Sequence, residues 1–251
     1  MTDRLDGTVA LITGASSGIG EASAEELVRQ GARVAIAARR RDRLEDLAKR
    51  LGEDTLVIEA DVTSEAAARD AVEQTATHFG RLDTVVANAG VMLLGTIVDA
   101  PVEEWERMVD LNLKGLLYTA HAALPHLLSA ASGEPRNVAD LVLISSVAGR
   151  VARNGSGVYN LTKHGVGAFG ESLRQEVTKR NVRVSLVEPG AVATELSSHI
   201  RAEIREQSMK RFEGVERLEA EDIADAIGYI VTRPRRVAVN EILIRPTDQE
   251  A

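Results

Sequence analysis

The sequence contains no cysteine. That excludes disulfides, thiolate catalysis and cysteine-held iron–sulfur clusters. Aromatic residues make up only 3% of the chain, too few for the base-stacking platforms of a nucleic-acid binder. Positive charge is in deficit. The formal net charge of -8 disfavours a nucleic acid or an anionic membrane as partner. No apolar run approaches the roughly 20 residues that span a bilayer. Met1-Thr2-Asp3-Arg4-Leu5-Asp6 lacks the apolar segment of a signal peptide, so the expected location is the cytoplasm. His121 and His126 stand on one helical stretch without further ligands, and no metal site is expected there.

What remains is an ordinary globular chain. Its 251 residues are 44% hydrophobic and 27% charged, enough for one sizeable core. A single domain over 1–251 is expected. Short apolar runs at Val9–Thr13, Arg33–Ala38, Thr55–Glu59, Asp83–Ala87, Leu141–Ile144, Arg183–Val187 and Glu241–Ile244 read as strands. Helical patterns lie between them, at Glu21–Gln30, Ser64–Phe79 with Ser64 as cap, Val102–Leu128, Ser156–Arg180 and Ala220–Val231. This alternation predicts an α/β chain with one parallel, doubly wound sheet. Ser129–Asn137 is small, polar and rich in breakers, hence a peripheral surface loop. The region from about 190 to 215 is polar and weakly periodic, and is expected to form a movable lid.

Four features carry chemistry. Tyr159 and Lys163 are four residues apart on a helix, so both side chains share one face. An ammonium beside the phenol is expected to lower its pKa toward neutrality and make Tyr159 an acid–base group. Gly14-Ala15-Ser16-Ser17-Gly18-Ile19-Gly20 follows a strand and opens a helix, the context of a pyrophosphate cradle. The alternative is an ordinary strand-to-helix turn. At the end of the second strand Ala38 stands where an acidic residue would accept from a ribose hydroxyl, and Arg39 follows. A guanidinium with no carboxylate beside it suits a 2′-phosphate, with Arg40 next to it. The competing reading is a solvated charge run. Asn88-Ala89-Gly90 and Ser145-Ser146 close the fourth and fifth strands, on the sheet edge where ligands bind. Asn112 stands inside a helical stretch, where an amide side chain is mildly unfavourable.

Together these segments resemble the short-chain dehydrogenase/reductase family from about Gly7 to Ile244. The resemblance rests on Thr13–Gly20, Asp61-Val62, Asn88-Ala89-Gly90, Asn112, Ser146, Tyr159-Asn160-Leu161-Thr162-Lys163 and Pro189-Gly190. It implies a Rossmann-type three-layer fold with a seven-stranded parallel sheet. It also implies hydride transfer between a nicotinamide cofactor and a small-molecule carbonyl or alcohol. Arg39 makes that cofactor NADP(H). In this pattern Gly14, Ser16, Ser17, Gly18, Ile19 and Gly20 take the pyrophosphate, and Asp61 and Val62 the adenine. Asn88, Ala89 and Gly90 line the ribose side. Pro189, Gly190, Val192 and Thr194 flank the nicotinamide. Ser146 would bind the substrate oxygen, Tyr159 move the proton, Lys163 hold the ribose, and Asn112 support a water beside Lys163. A homotetramer or dimer is implied as well. The segments Val91–Gly95, Ala122–His126 and Ile244–Gln249 resemble more closely the NADPH-dependent branch of clavulanic acid dehydrogenase and serine 3-dehydrogenase-like enzymes. A catalytically silent NADP-binding regulator on the same fold is the alternative.

Overall fold

The computed structural model describes residues 4–210 and 214–250, so 211–213 of the expected lid lie outside the described residues. Seven strands form one parallel sheet. They are β1 (Val9–Thr13), β2 (Arg33–Ala38), β3 (Thr55–Glu59), β4 (Thr84–Ala87), β5 (Ala139–Ile144), β6 (Val182–Pro189) and β7 (Glu241–Ile244), in spatial order β3-β2-β1-β4-β5-β6-β7. The order reverses between β1 and β4, and a crevice opens beyond the strand ends at such a point.

The strands are apolar on both faces because helices cover both. Val9 and Leu11 pack on one side with Val85, Leu141 and Leu143, and Ala10 and Ile12 pack on the other with Val86 and Val142. Each fully buried Leu, Ile or Val of this kind contributes about 1.5–3 kcal/mol of transfer free energy. One face is covered by α3 (Glu65–Phe79), α5 (Leu116–Ala130) and α6 (Gly157–Val177), whose Val72, Leu127 and Leu173 join the first cluster. The other is covered by α1 (Gly18–Arg29), α2 (Arg41–Leu51) and α8 (Ala220–Val231) through Leu27, Leu44 and Ile227. Short helices α4 (Val102–Met108) and α7 (Ala202–Met209) lie outside these layers.

The helix ends follow local chemistry. Ser64 caps α3 by accepting from the Ala67 N–H. Glu219 and Asp222 form a reciprocal capping box at α8. α1 begins at Gly18 rather than Glu21, since glycines carry no apolar periodicity by which a start could be read. The stretch Val102–Leu128 is α4 and α5 joined by a π-helical turn at Val109–Gly115, which contains Asn112.

The expected loop Ser129–Asn137 needs two corrections. Ser129 and Ala130 belong to α5. Ser132, Glu134 and Pro135 are exposed as expected, but the Arg136 side chain turns inward, 5% exposed, and pairs with Asp140 at 3.3 Å. Arg183 meets the same carboxylate at 2.7 and 2.9 Å. Arg183 also donates to the Val231, Arg233 and Val237 carbonyls. The network ties the chain after α8 to the amino ends of β5 and β6, away from the crevice.

Candidate active site

One cavity of about 420 Å³ runs along the carboxyl edge of the sheet. Every residue given a catalytic or cofactor-binding role in the sequence lines it except Gly20 and Asn112. Those two stand behind the wall and shape it.

At the β1–α1 turn, Gly14 has φ +68 and Gly18 φ +56, values that β-carbon-bearing residues rarely adopt. A Cβ on Gly20 would lie 2.4 Å from the Gly14 carbonyl oxygen, so only glycine lets α1 start this close to the turn. Asn88 locks the arrangement by donating to the Thr13 and Gly14 carbonyls at 3.0 and 3.2 Å. Ser17 occupies the cap position of α1 without bonding the helix. Its hydroxyl accepts instead from Arg40 Nη2 at 2.8 Å, and Ser16 Oγ accepts from the same guanidinium.

The end of β2 differs from expectation. Arg39 has a carboxylate near it after all, Asp61 at 3.9 Å, because β3 brings its own end beside that of β2. Arg40 carries the denser contacts. Glu195, which follows Thr194 in the segment expected as a lid, accepts from Arg40 at 2.9 Å and from Arg43 at 2.6 Å. The two guanidinia hold its carboxyl down at about 2. Glu195 was not foreseen, because 155 residues separate it from Arg40.

At the other end, α6 presents Tyr159 and Lys163 to the cavity as the four-residue spacing predicts. Val91, Leu93 and Met108 pack around the phenol. Lys163 Nζ donates to the Ile144 carbonyl at 2.8 Å and sits 5.9 Å from the centre of the Tyr159 ring. The expected lowering of the phenol pKa is not found. Burial pushes Tyr159 up to about 12, opposed by a hydrogen bond with the Ser146 hydroxyl. Burial also pushes Lys163 down to about 8. Desolvation outweighs the ammonium because both groups are enclosed in apolar surroundings and the ammonium turns to a backbone carbonyl.

Ser146 Oγ accepts from the Ala148 N–H at 3.0 Å and donates weakly to Pro189 O at 3.4 Å. Asn112 braces the wall. Its amide donates to the Val91 carbonyl and accepts from the Val91 N–H, both at 2.8 Å, and donates to Thr162 Oγ1 at 3.2 Å. Asn112 therefore joins β4's exit strap to the helix of Tyr159 and Lys163. Asn160, passed over in the sequence except as part of the motif, clamps the loop between Ser146 and Tyr159. It donates to the Ala148 and Val151 carbonyls at 2.7 and 2.9 Å and accepts from Arg153 N and Ser156 Oγ. The Gln249 carboxamide holds the turn after Pro189 by accepting from the Ala191 N–H at 2.9 Å. A lone amide beside a tyrosine carries no signal in sequence that it will make four bonds.

Comparison with known proteins agrees with this geometry. A family model described as short chain dehydrogenase matches residues 8–205. An uncharacterized oxidoreductase of Staphylococcus aureus (strain MRSA252) is 38% identical over 239 residues, covering 95% of this chain and 96% of that one. Among solved structures, the closed form of a serine dehydrogenase complexed with NADP+ superposes with a TM-score of 0.89 at 31% identity, covering 97% of both chains. A 3-ketoacyl-(acyl-carrier-protein) reductase from Brucella melitensis complexed with NADH gives 0.84 at 27%, covering 96% and 98%. With a match over most of its length and a parallel sheet that carries the family's motifs along one edge, the chain belongs to the short-chain dehydrogenase family of oxidoreductases.

Proposed function

We propose that this protein transfers hydride between NADP(H) and a small-molecule carbonyl or alcohol, with Tyr159 as the proton-transfer group. The observation that carries the reading is the continuity of the cavity at the carboxyl edge of the sheet. It joins a glycine cradle and two arginines at one end to Ser146, Tyr159 and Lys163 at the other. The turn suits a pyrophosphate, because glycine at 14 and 20 lets α1 begin this close to the strand end, where added β-carbons would meet neighbouring backbone at 2.8 and 2.4 Å. Gly14 to Gly20 hold the pyrophosphate, Asp61 and Val62 the adenosine side, and Asn88, Ala89 and Gly90 the ribose beside Lys163. Pro189, Gly190, Val192 and Thr194 bound the nicotinamide. Arg39, about 61% exposed and only loosely met by Asp61, is free to take a 2′-phosphate. The NADP+ and NADH complexes of the two solved relatives leave this choice to the arginines of this chain.

The bound nicotinamide supplies or accepts the hydride. The chain does the rest. Ser146 donates to the substrate oxygen. Tyr159, protonated at neutral pH, gives its proton to that oxygen during reduction and recovers it during oxidation. Lys163 holds the ribose and stabilises the phenolate as it forms. Asn112 keeps Val91 and the α6 helix in register so that this geometry persists.

The experiment is Tyr159→Phe, read by NADPH oxidation with a panel of aldehydes and ketones and by NADPH fluorescence titration. Turnover is expected to fall about 10²–10⁴-fold, the span of a lost general acid. Nucleotide affinity should stay within a few-fold. Turnover close to wild type would overturn the assignment.

A further inference from the structure

Charge is met unequally along the cavity. The acidic residues that line it, Asp61 and Glu195, are both paired with arginines around the end of β2. Around Tyr159 the wall is apolar, with Met92, Leu94 and Leu111 packing in the cluster that holds the phenol. Arg153 lines the same cavity. It lies in the loop between Ser146 and Tyr159, and its backbone is pinned. Its N–H donates to Asn160 Oδ1 at 3.2 Å, and its carbonyl accepts from Ser156 Oγ at 3.0 Å. Its guanidinium is not matched. Among the described residues it forms no ion pair, and Nη2 is shielded from solvent without a hydrogen-bond partner.

A shielded cationic donor with no acceptor is costly, and proteins seldom leave one without a reason. An apolar pocket holding one unmatched charged group is the common form of a site that orients a ligand. The planar guanidinium fork fits a carboxylate with two parallel hydrogen bonds. We propose that Arg153 anchors a carboxylate of the substrate, so that the group turned over beside Tyr159 belongs to an oxo acid or hydroxy acid. This rests on the oxidoreductase reading above and adds the substrate class to it. Asn160 is then a positioning residue, since it fixes the Arg153 backbone next to the helix of the catalytic tyrosine.

The test uses matched pairs. With NADPH, kcat/KM is measured for 2-oxobutanoate, 3-oxobutanoate and 4-oxopentanoate and for their methyl esters. At least one acid is expected to exceed its ester by about 10- to 100-fold, the worth of a charge-assisted pair. Arg153→Gln should abolish that preference, and Arg153→Lys should retain part of it. Binding without turnover is read by calorimetry of butanoate against butanamide on the NADP+-loaded protein. Butanoate should bind about ten-fold tighter to the wild type or better, and equally with butanamide to Arg153→Gln. Ketone reduction with no acid preference at any of the three spacings would overturn the anchor and leave the oxidoreductase reading standing. A butanoate preference that depends on Arg153, without reduction of any ketone, would do the reverse. An acid preference that survives Arg153→Gln would also overturn the proposal.

Discussion

Lys163 shows how much a single buried group can store. Its ammonium is enclosed and has one carbonyl acceptor, Ile144 at 2.8 Å, so burial depresses its pKa to about 8. In the unfolded chain an ordinary lysine titrates near 10.4. Between these values the unfolded state binds more protons than the folded one, so stability must rise with pH over that window. Below about pH 8 the full cost of the buried charge is present. Tyr159 acts in the opposite sense at higher pH. Its folded pKa of about 12 exceeds the unfolded value, so stability falls as pH climbs from about 10 toward 12. Urea unfolding of the wild type and Lys163→Met at pH 7.5 and 10 should therefore differ. The wild type gains relative to the variant by up to about 3 kcal/mol, the equivalent of the pKa displacement. A difference independent of pH would contradict the depressed pKa. A bound cofactor ribose would satisfy the same ammonium, so loading with NADP+ should shrink the effect.

At the scale of elements, the segment after Gly190, expected as a lid, is tied down at several points. Ala193 N and Leu218 O, and Leu218 N and Ala191 O, close a short bridge at 2.8 and 3.0 Å. Glu195 ties the start of this segment to Arg40 and Arg43, and Arg201 ties it to Glu104 at 2.9 Å. Arg40 is thus already committed to Glu195, Ser16 and Ser17, whereas Arg39 gives up only a 3.9 Å approach to Asp61. A phosphate entering at β2 disturbs least by taking Arg39. Arg39→Ala is expected to weaken NADPH binding about 10- to 100-fold, as for loss of a charge-assisted contact. NADH binding should change by no more than a few-fold. Fluorescence titration with both nucleotides measures the ratio, and an unchanged NADPH/NADH ratio would contradict the assignment. The strands, the cap at Ser64 and the span of α8 were legible in sequence because they depend on neighbours within a turn or a strand. The π-helical turn at Val109–Gly115 was not. Its Asn112 looks like a mild helix defect until Val91 arrives to bond it.

At the scale of the whole molecule, stability and function are placed at opposite edges of the sheet. The crevice edge carries the site. The other edge carries Asp140, 1% exposed, between Arg183 and Arg136, each 5% exposed. Removing the charge from Asp140 would leave two guanidinia buried without a counter-ion. Asp140→Asn should cost about 3–5 kcal/mol in urea unfolding, the usual penalty for breaking a buried pair. Fully formed folded protein of that variant should still bind NADPH, because the network touches no cavity residue. A loss under about 1 kcal/mol would show that Asp140 is not what neutralises the cluster. Among the described residues no helix is long and apolar enough to cross a membrane.

Local chemistry determined much of this protein from sequence alone. The seven strands and the helices between them follow from periodicity and capping, and the glycine turn with Tyr159 and Lys163 follows from fixed short spacings. Those features depend on atoms a few residues apart, which the chain order specifies directly. Burial and long-range pairing were decided only by the tertiary structure. It set the phenol pKa above 10 instead of below, gave Arg40 to Glu195, turned the Arg136 side chain in to Asp140 and left Arg153 unmatched in the cavity wall. Each depends on which groups folding encloses together and which it leaves without water, and no spacing along the chain encodes that.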